Sequence, residues 1–508
     1  MKKLLALVLA AMMLLSAGSV LAESNYKEKI AWDTTFPYQD TSTDYMADDL
    51  AKWVQETFNT EIEVIYTATN GYDEVVRTMI YGGTMPTCVT WHNNQTEYMD
   101  YIEQGLIAPL PETWKTDYPD LYRMVQKTGL EQFLEVDGLT YGIPHAAYCN
   151  FMDIPAPIPN TILHYYRKDW AEQLGFDWSD KVAVTLDEMK AFCEAAVAAD
   201  MAGNGNTIGF TGSTTDIVKS FMTLNGGVRY TSFARDEENQ QYVWNPAANT
   251  AVIVEQIEKL REWYNAGLID PDFYLTSSSE AQSKVSSGLA AVTVYGGHVH
   301  GFREFDTAFT AANPDKSFKD VIGTFVLTSE DGTLYTEEVT NHYTYSIFNP
   351  DIDEATLRRI LEIMDFFCTK EGSYWYGCGV KGQDWDFEAD GSVLTGTDYK
   401  SNLLWGFISI VSDDFSFGNP ALDADWRARA LEQMIYKSEN GVAVLYPFEY
   451  GFHSSEAKNN YSADVQSKIV ELAMNDADIA TEWAAYLEQF SGMVEPLLDE
   501  LNATYFGK

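Results

Sequence analysis

The stretch IEVIYTATNGYDEVVRTMIYGGTMPTCVTW, Ile62–Trp91, decides the fold class. Ile62–Tyr66 is β-branched and aromatic and reads as a strand. Tyr72–Tyr81 carries a helical pattern that stops at Gly82-Gly83, and Cys88–Trp91 reads as a second strand. Upstream, Lys29–Trp32 is a short apolar run ending at Asp33. Ser42–Phe58 then sets Met46, Leu50, Trp53, Val54 and Phe58 at helical spacing. Strands alternating with helices imply a mainly parallel sheet covered by helices on both faces. Ligands of such sheets sit beyond the carboxyl ends of the strands. Here those ends carry Trp32-Asp33-Thr34 and Trp91-His92-Asn93.

A second α/β region follows Pro144. Thr185-Leu-Asp-Glu188 has the spacing of a capping box and opens a helix running to about Asp200. Asn245-Pro246 starts another, with Ile253, Ile257 and Leu260 on one face and Gly267 placed for a left-handed cap. Gly288–Tyr295 (GLAAVTVY) reads as a buried strand before Gly296-Gly297. After Asp353, the residues Leu357, Ile360, Leu361, Met364 and Phe367 form one stripe, stopped by Gly372, and the last hundred residues are mostly helical. There is no internal repeat, low-complexity tract or Pro- or Ser-rich linker, so the pattern predicts two lobes that exchange segments.

At about 100–200 residues per domain, 508 residues suggest two to four compact units. The 46% hydrophobic content is too high for a disordered acidic chain. With 33 basic and 76 acidic residues, the net charge is −43. That argues against nucleic acid and against an anionic membrane surface as partners, because both need an organised basic face. Lys2 and Lys3 precede LLALVLAAMMLLSAG and then Ser19-Val20-Leu21-Ala22, the plan of a secretory signal cleaved after Ala22. The apolar run is shorter than the about 20 residues of a membrane span. Five cysteines in an exported chain leave at least one thiol over. Cys193 shares an apolar helical stripe with Met189, Phe192 and Ala196. Cys368 and Cys378 are the two that could pair, and no cysteine spacing is zinc-like.

Enzyme signatures are missing: no GxSxG, HExxH, GxxxxGK[ST] or GxGxxG before a helix. His298-Val-His300 would set two imidazoles on one strand face, as a metal pair or, the favoured reading, as polar residues at a cleft mouth. Aromatic content says more. Trp32, Trp91, Tyr166, Tyr295, Trp375, Tyr376, Trp385, Trp405 and Tyr446 lie beside Gly, Asn or Asp at predicted loop or strand ends. A ring covers the C–H face of a sugar while nearby amides and carboxylates bond its hydroxyls. Asp200, Asn204 and Asn206 occupy positions one, five and seven of a calcium-loop-like stretch, with Gly205 at six. Ala202 at position three and Thr211 at twelve depart from it, so a turn without metal is the favoured reading and no cofactor is expected.

Six segments together resemble the extracellular solute-binding proteins of carbohydrate ABC transporters, in particular the large lipoprotein type that binds oligosaccharides. They are DGLTYGIPHAAY (Asp137–Tyr148), NTILHYYRKDWAEQLGFD (Asn160–Asp177), TLDEMKAFCEAAVAADMAGNGNTIGFTG (Thr185–Gly212), WYNAGLIDPDF (Trp263–Phe273), SGLAAVTVYGG (Ser287–Gly297) and YWYGCGVKGQDWDFEADG (Tyr374–Gly391). The resemblance implies an α/β, two-lobe, periplasmic-binding-protein-like fold of the class II type with a helix-rich C-terminal part. It implies three hinge crossovers, expected near Pro144–Asn160, Leu289–Val294 and Thr340–Phe348. The expected division is a signal over 1–22, a first lobe of 23–148 and 293–342, and a second of 149–292 and 343–508. The family's calcium loop falls on Asp200–Asn206, where two of its acidic positions are absent. Gly18 and Ser19 stand where the family usually carries a lipid-modified cysteine, so a freely secreted or otherwise tethered protein is expected.

The expected activity is capture of an oligosaccharide, a neutral one given the charge, by lobe closure and its delivery to an ABC permease, by a monomer. Trp32, Asp33, Trp91 and His92 of the first lobe are the ligand-binding candidates, with Tyr295 near a hinge. From the second lobe the candidates are Tyr166, Arg167, Trp375, Lys381 and Trp385. The rings would stack on sugar, and Asp33, His92 and Arg167 would bond hydroxyls. A binding protein for peptide or another polar solute, a secreted glycan-active enzyme, and a surface adhesion or sensing protein of the same fold are the competing readings.

Overall fold

The computed structural model describes residues 27–35, 37–38, 45–68, 71–92, 95–146, 159–179, 181–338, 342–389, 391, 393–395 and 423–508. The predicted signal over 1–22, Cys149 and Trp405 lie outside them. Ten strands form two main sheets: β1 Ile30–Thr35, β2 Thr60–Val64, β3 Cys88–His92, β4 Ile143–Ala146, β5 Ile162–Arg167, β6 Ala183–Thr185, β7 Ile208–Phe210, β8 Ala290–Gly296, β9 Ile322–Thr328 and β10 His342–Phe348. The first sheet has the order β2-β1-β3-β10-β4 and the second β6-β9-β5-β8-β7. In the first, β1 runs parallel to β2 and β3, and β10 is antiparallel to β3 and β4. In the second, β5 is antiparallel to β8 and β9, which pair in parallel with β7 and β6 respectively. The reversed strand of each sheet is the one by which the chain arrives from the other lobe. β5 follows the passage between 146 and 159, and β10 the passage between 338 and 342. This is the two-lobe, class II arrangement that the resemblance implies.

Local chemistry places the elements. Thr185 and Glu188 form the predicted capping box at the start of helix Leu186–Ala198. Gly267 takes φ +69°, a left-handed turn open to glycine, just after helix Thr250–Asn265. The first-lobe core joins Trp32, Val54, Val89 and Ile347 to Ile360, Leu361, Met364 and Phe367 of helix Glu354–Phe367. The second sheet is covered on both faces. Phe192, Phe210, Val292 and Phe325 pack with Ile469, Leu472, Trp483 and Leu497 of the C-terminal helices Val465–Met474 and Ile479–Phe506. Leu163, Tyr165, Phe302 and Phe305 pack with Ala430 and Met434 of helix Ala424–Asn440. Among the described residues no helix is long and apolar enough to cross a membrane.

Two expectations about organisation are corrected. Residues 290–328 do not return to the first lobe: β8 and β9 flank β5 inside the second sheet, so Leu289–Val294 is no crossover. The segment 343–395 belongs to the first lobe, because β10 and helix Glu354–Phe367 lie in its sheet and core. The chain re-enters the second lobe between 395 and 423. An apolar run such as GLAAVTVY announces a buried strand, but its partners are set by non-local pairing. No disulfide joins Cys368 and Cys378; both are thiols buried in the first-lobe core. Cys88 and Cys193 are also buried thiols, and burial pushes the Cys88 thiol up to about 12.

Candidate functional site

The first passage leaves the carboxyl end of β4 and enters at the amino end of β5, where β7, β8 and β9 have their carboxyl ends. The second passage enters β10 at the carboxyl edge of the first sheet. The carboxyl edges of the two sheets therefore face each other across the interlobe cleft, the position at which such sheets hold ligands.

The first-lobe edge is built from hydroxyls and imidazole. At the end of β1, Thr35 Oγ1 donates to the Ile65 carbonyl at 2.8 Å and lies 2.9 Å from Thr67 Oγ1. Tyr72, the first residue of helix Tyr72–Tyr81, brings its hydroxyl to the carbonyls of Thr35, at 3.0 Å, and Thr90. Near the end of β4, His145 is buried with Nε2 2.7 Å from Ser346 Oγ and Nδ1 2.7 Å from Thr344 Oγ1. The second-lobe edge presents helix N-termini: Thr185, then Ser213 before helix Thr214–Met222, and His298 before helix Val299–Ala312. Tyr295, near the end of β8, donates its hydroxyl to Glu304 Oε2 at 2.8 Å.

Where the passages meet the second lobe, a buried polar cluster gathers. Glu337 accepts from Lys219 Nζ at 2.6 Å, Arg229 Nη1 at 2.9 Å and Asn160 Nδ2 at 3.3 Å. Burial alone would raise its carboxyl, but Lys219 and Arg229 outweigh that and hold it below the usual range. Lys437 Nζ donates to Asn160 Oδ1 at 2.7 Å and to the carbonyls of Asn160 and Ile162; burial brings its ammonium down to about 7. The Arg229 guanidinium lies over the Tyr446 ring, 4.3 Å from its centroid.

Most of the candidates read from sequence serve the lobe cores. The Trp32 indole donates to Thr60 Oγ1 at 2.7 Å inside the first core. Asp33 Oδ1 accepts from the Thr87 amide at 2.8 Å and hydroxyl at 2.6 Å, tying β1 to the loop before β3. Trp91 is buried against Tyr101 and Tyr345. Trp375 stacks on Trp53 at 4.0 Å, and the Trp385 indole donates to the Gly379 carbonyl at 2.8 Å. Both belong to the first lobe, not the second. Lys381 pairs with Glu371 at 2.9 Å. Tyr166 and Arg167 end β5, and because β5 is reversed they lie at the sheet edge remote from the cleft. Tyr166 is buried, and Arg167 makes a two-pronged pair with Asp169 at 2.8 and 2.6 Å. The faces of Trp32, Trp91, Tyr166, Trp375 and Trp385 are thus covered by protein. Tyr295 and His92, whose backbone ends β3 opposite Thr344, stand at the cleft edges.

The calcium-like turn is closed on itself. Asp200 takes φ +45°, and its carboxylate accepts from the Gly205 amide at 2.9 Å and Thr207 Oγ1 at 2.9 Å, bonds that hold it below the usual carboxylate range. Asn204 Oδ1 accepts from the Asn206 amide at 2.9 Å. Thr211, at the twelfth position, is buried and donates to Asp270 Oδ2 at 2.6 Å. The turn carries one carboxylate, engaged by its own loop, where a calcium loop of this kind carries several acidic ligands. Among the described residues no group of three or more His, Cys, Asp or Glu could hold a metal. His298 and His300 open a helix instead of sharing a strand face, and His298 Nδ1 accepts from the Gly301 amide at 3.0 Å.

Thr35, Tyr72, His145 and Asn160 were not legible as cleft-edge residues. They look like ordinary polar punctuation, and only the strand directions bring the first three to the first-lobe edge and Asn160 to the second-lobe edge opposite.

Known proteins place this architecture. Lipoprotein LipO of Bacillus subtilis (strain 168) is 24% identical over 421 residues, covering 80% of this chain and 77% of its own. Among solved structures, the alginate-binding protein AlgQ2, solved without calcium ion, superposes with a TM-score of 0.68 at 15% identity, covering 96% of this chain and 100% of its own. The substrate-binding protein FusA of S. pneumoniae, in complex with kestose, gives 0.66 at 14% identity, with 94% and 99% covered. The N-glycan transport solute-binding protein NgtS of Streptococcus pneumoniae, in complex with Man1GlcNAc, gives 0.57 at 14% identity, with 94% and 99% covered. These likenesses carry the fold. The profile of the family described as bacterial extracellular solute-binding protein matches residues 40–355, well over half of the chain, and the chain belongs to that family.

Proposed function

We propose that this protein captures a neutral oligosaccharide between its lobes, outside the cytoplasm, and hands it to an ABC permease. The observation that supports this reading most is the pair of facing carboxyl edges in a member of a solute-binding family. The fold neighbours named with a sugar or polysaccharide, AlgQ2 with alginate, FusA with kestose and NgtS with Man1GlcNAc, support an oligosaccharide as the ligand, and the neutral class rests on the charge of the chain. Closure would dehydrate hydrogen bonds between sugar hydroxyls and polar groups of the two edges, with Tyr295 and His92 as contact residues, while the buried Thr35, Tyr72 and His145 hold the first-lobe edge in shape from beneath. A closed form stabilised only by bound ligand gives the permease a state to recognise. The net charge of −43 disfavours uronic-acid polymers. Export by the N-terminal signal, release after Ala22 and action as a monomer without catalysis belong to the same reading.

Titration calorimetry with neutral oligosaccharides, acidic oligosaccharides and short peptides tests it. Saturable binding of at least one neutral sugar is expected; binding of peptides alone, or of nothing, overturns it. Capture needs no metal in this reading. A calcium ion bound at about 100 times its Kd would stabilise the protein by about 2.7 kcal/mol. Chelator-stripped protein returned to millimolar calcium is expected to show none of that gain in a thermal melt, and a rise of that size would show that the Asp200 loop rearranges around the ion.

A further inference from the structure

Helix Phe448–Phe452 is one turn long and carries side chains into both lobes. Its chain belongs to the second lobe: strand Gly441–Val444 before it pairs with Leu334–Glu337, and the helices after it pack in the second core. The segment begins beside the second passage, where the Tyr446 amide donates to Glu338 Oε2 at 3.1 Å.

Its two sides are held by different physics. Toward the second lobe the Tyr450 ring packs on Phe233, centroids 5.2 Å apart, and the other contacts are polar and directional. Glu449 Oε1 accepts from the Tyr242 hydroxyl at 2.6 Å and Arg235 Nη1 at 2.9 Å, and the Glu449 carbonyl accepts from the Tyr505 hydroxyl at 3.1 Å. Lys458 Nζ donates to the carbonyls of Gly451 and His453 at 2.8 and 2.9 Å. Toward the first lobe the contact is chiefly apolar. Phe452, 7% exposed, stacks on Phe133 with centroids 5.1 Å apart and planes 4° from parallel, and meets Tyr98 edge-on at 6.1 Å. Phe448, one turn earlier on the same face, packs against the same core. Ser454 Oγ adds a hydrogen bond to Asp100 Oδ1 at 3.0 Å.

Hydrogen bonds weaken steeply as their angles open, whereas apolar burial is non-directional and survives rotation of one surface on another. When the lobes move, the helix must stay with the second lobe and turn at its apolar end. We propose that Phe452, seated between Phe133 and Tyr98, is the pivot of lobe motion: a positioning residue that sets the axis of closure beside the covalent passages. This rests on the lobe motion of the proposed function, but it is tested without ligand.

Spin labels at Val75→Cys and Leu275→Cys, exposed positions of the first and second lobe, report the interlobe distance by pulsed electron resonance. A Cys149→Ser background is used, since Cys88, Cys193, Cys368 and Cys378 are buried. Phe452→Ala is expected to widen the distance distribution by about twofold, and Phe452→Leu to leave it near the parent width. Phe133→Ala, which removes the opposite wall of the socket, is expected to reproduce the widening and serves if Phe452→Ala does not fold. A lowered unfolding midpoint with an unchanged distribution in a folded variant would mean that the contact is only structural, and would overturn the proposal. Failure to bind any sugar with the distribution widened as expected would overturn the proposed function and leave the pivot standing.

Discussion

Glu337→Ala is expected to lower the unfolding free energy by about 3–5 kcal/mol, because it strips the carboxylate from a buried ion cluster and leaves its cations behind. Lys219 and Arg229 are each 21% exposed at the side chain and Glu337 is 11% exposed, so water replaces the lost partner poorly. Asn160 would lose its acceptor too, and Asn160 is what Lys437 holds on the other side. Residual exposure of the two cations puts the lower end of the range closer to expectation. Glu337→Gln keeps an acceptor for one cation and for Asn160 and should cost less than the alanine variant. Urea titrations followed by fluorescence and circular dichroism measure this, and a loss below about 1 kcal/mol would sink the account. The pH dependence has a definite sign. The folded carboxyl titrates below its ordinary value of 4.5, so its contribution is fully present above that pH and is lost as pH falls through the folded value. Glu337→Ala should therefore lie below the parent at neutral pH and converge toward it in acid.

How far the sequence reading reached follows from which interactions are local. The capping box at Thr185–Glu188, the left-handed Gly267 and the stripe from Leu357 to Phe367 depend on residues within a few turns, and each is found where the pattern puts it. Lobe membership is different. β8 and β9 are apolar runs and β10, HYTYSIF, mixes polar with aromatic residues, but nothing within any of them says that the first two flank β5 while the third flanks β3. Strand direction is equally non-local: Tyr166 and Arg167 do end a strand, but β5 is reversed, so that end is the wrong edge. Aromatics misled for a related reason. A tryptophan beside aspartate or glycine can face a cleft or fill a core, and hydrogen bonds such as Trp32 to Thr60 and Trp385 to Gly379 satisfy the indole in the core. The cleft edges instead carry threonines, tyrosines and imidazoles that no motif singles out.

Histidine should dominate the onset of acid unfolding. His164 is buried in the second lobe with its ring stacked on Phe325, centroids 5.3 Å apart. Its Nε2 lies 3.1 Å from Ser220 Oγ, and that hydroxyl donates to the Asp216 carbonyl at 2.8 Å. The serine oxygen is therefore left to accept, and the proton sits on Nε2 of a neutral ring. Burial, with a smaller contribution from Lys437, lowers His164 to about 3. His342 begins β10 in the first lobe, 2.7 Å from the Tyr345 hydroxyl, and burial lowers it to about 3 as well. In the unfolded chain both titrate near 6.5. Between the two values the unfolded state binds two protons that the folded state refuses, so stability falls as pH falls, by about 1.4 kcal/mol per pH unit for each ring. From pH 6.5 to 4.5 that is about 5 kcal/mol for the pair, a large share of the whole stability of a typical protein. Lys437 adds nothing over this range, since with a folded value of about 7 it is mostly protonated in both states below that pH. Carboxylates enter toward the lower end, but they do so equally in parent and variant. His164→Gln, which keeps an amide to donate to Ser220, should reduce the slope of unfolding free energy against pH by about 1.4 kcal/mol per unit, whatever its cost at pH 7. Urea titrations at pH 6.5, 5.5 and 4.5 read that slope directly, and equal slopes in parent and variant would show that His164 takes up its proton in the folded state.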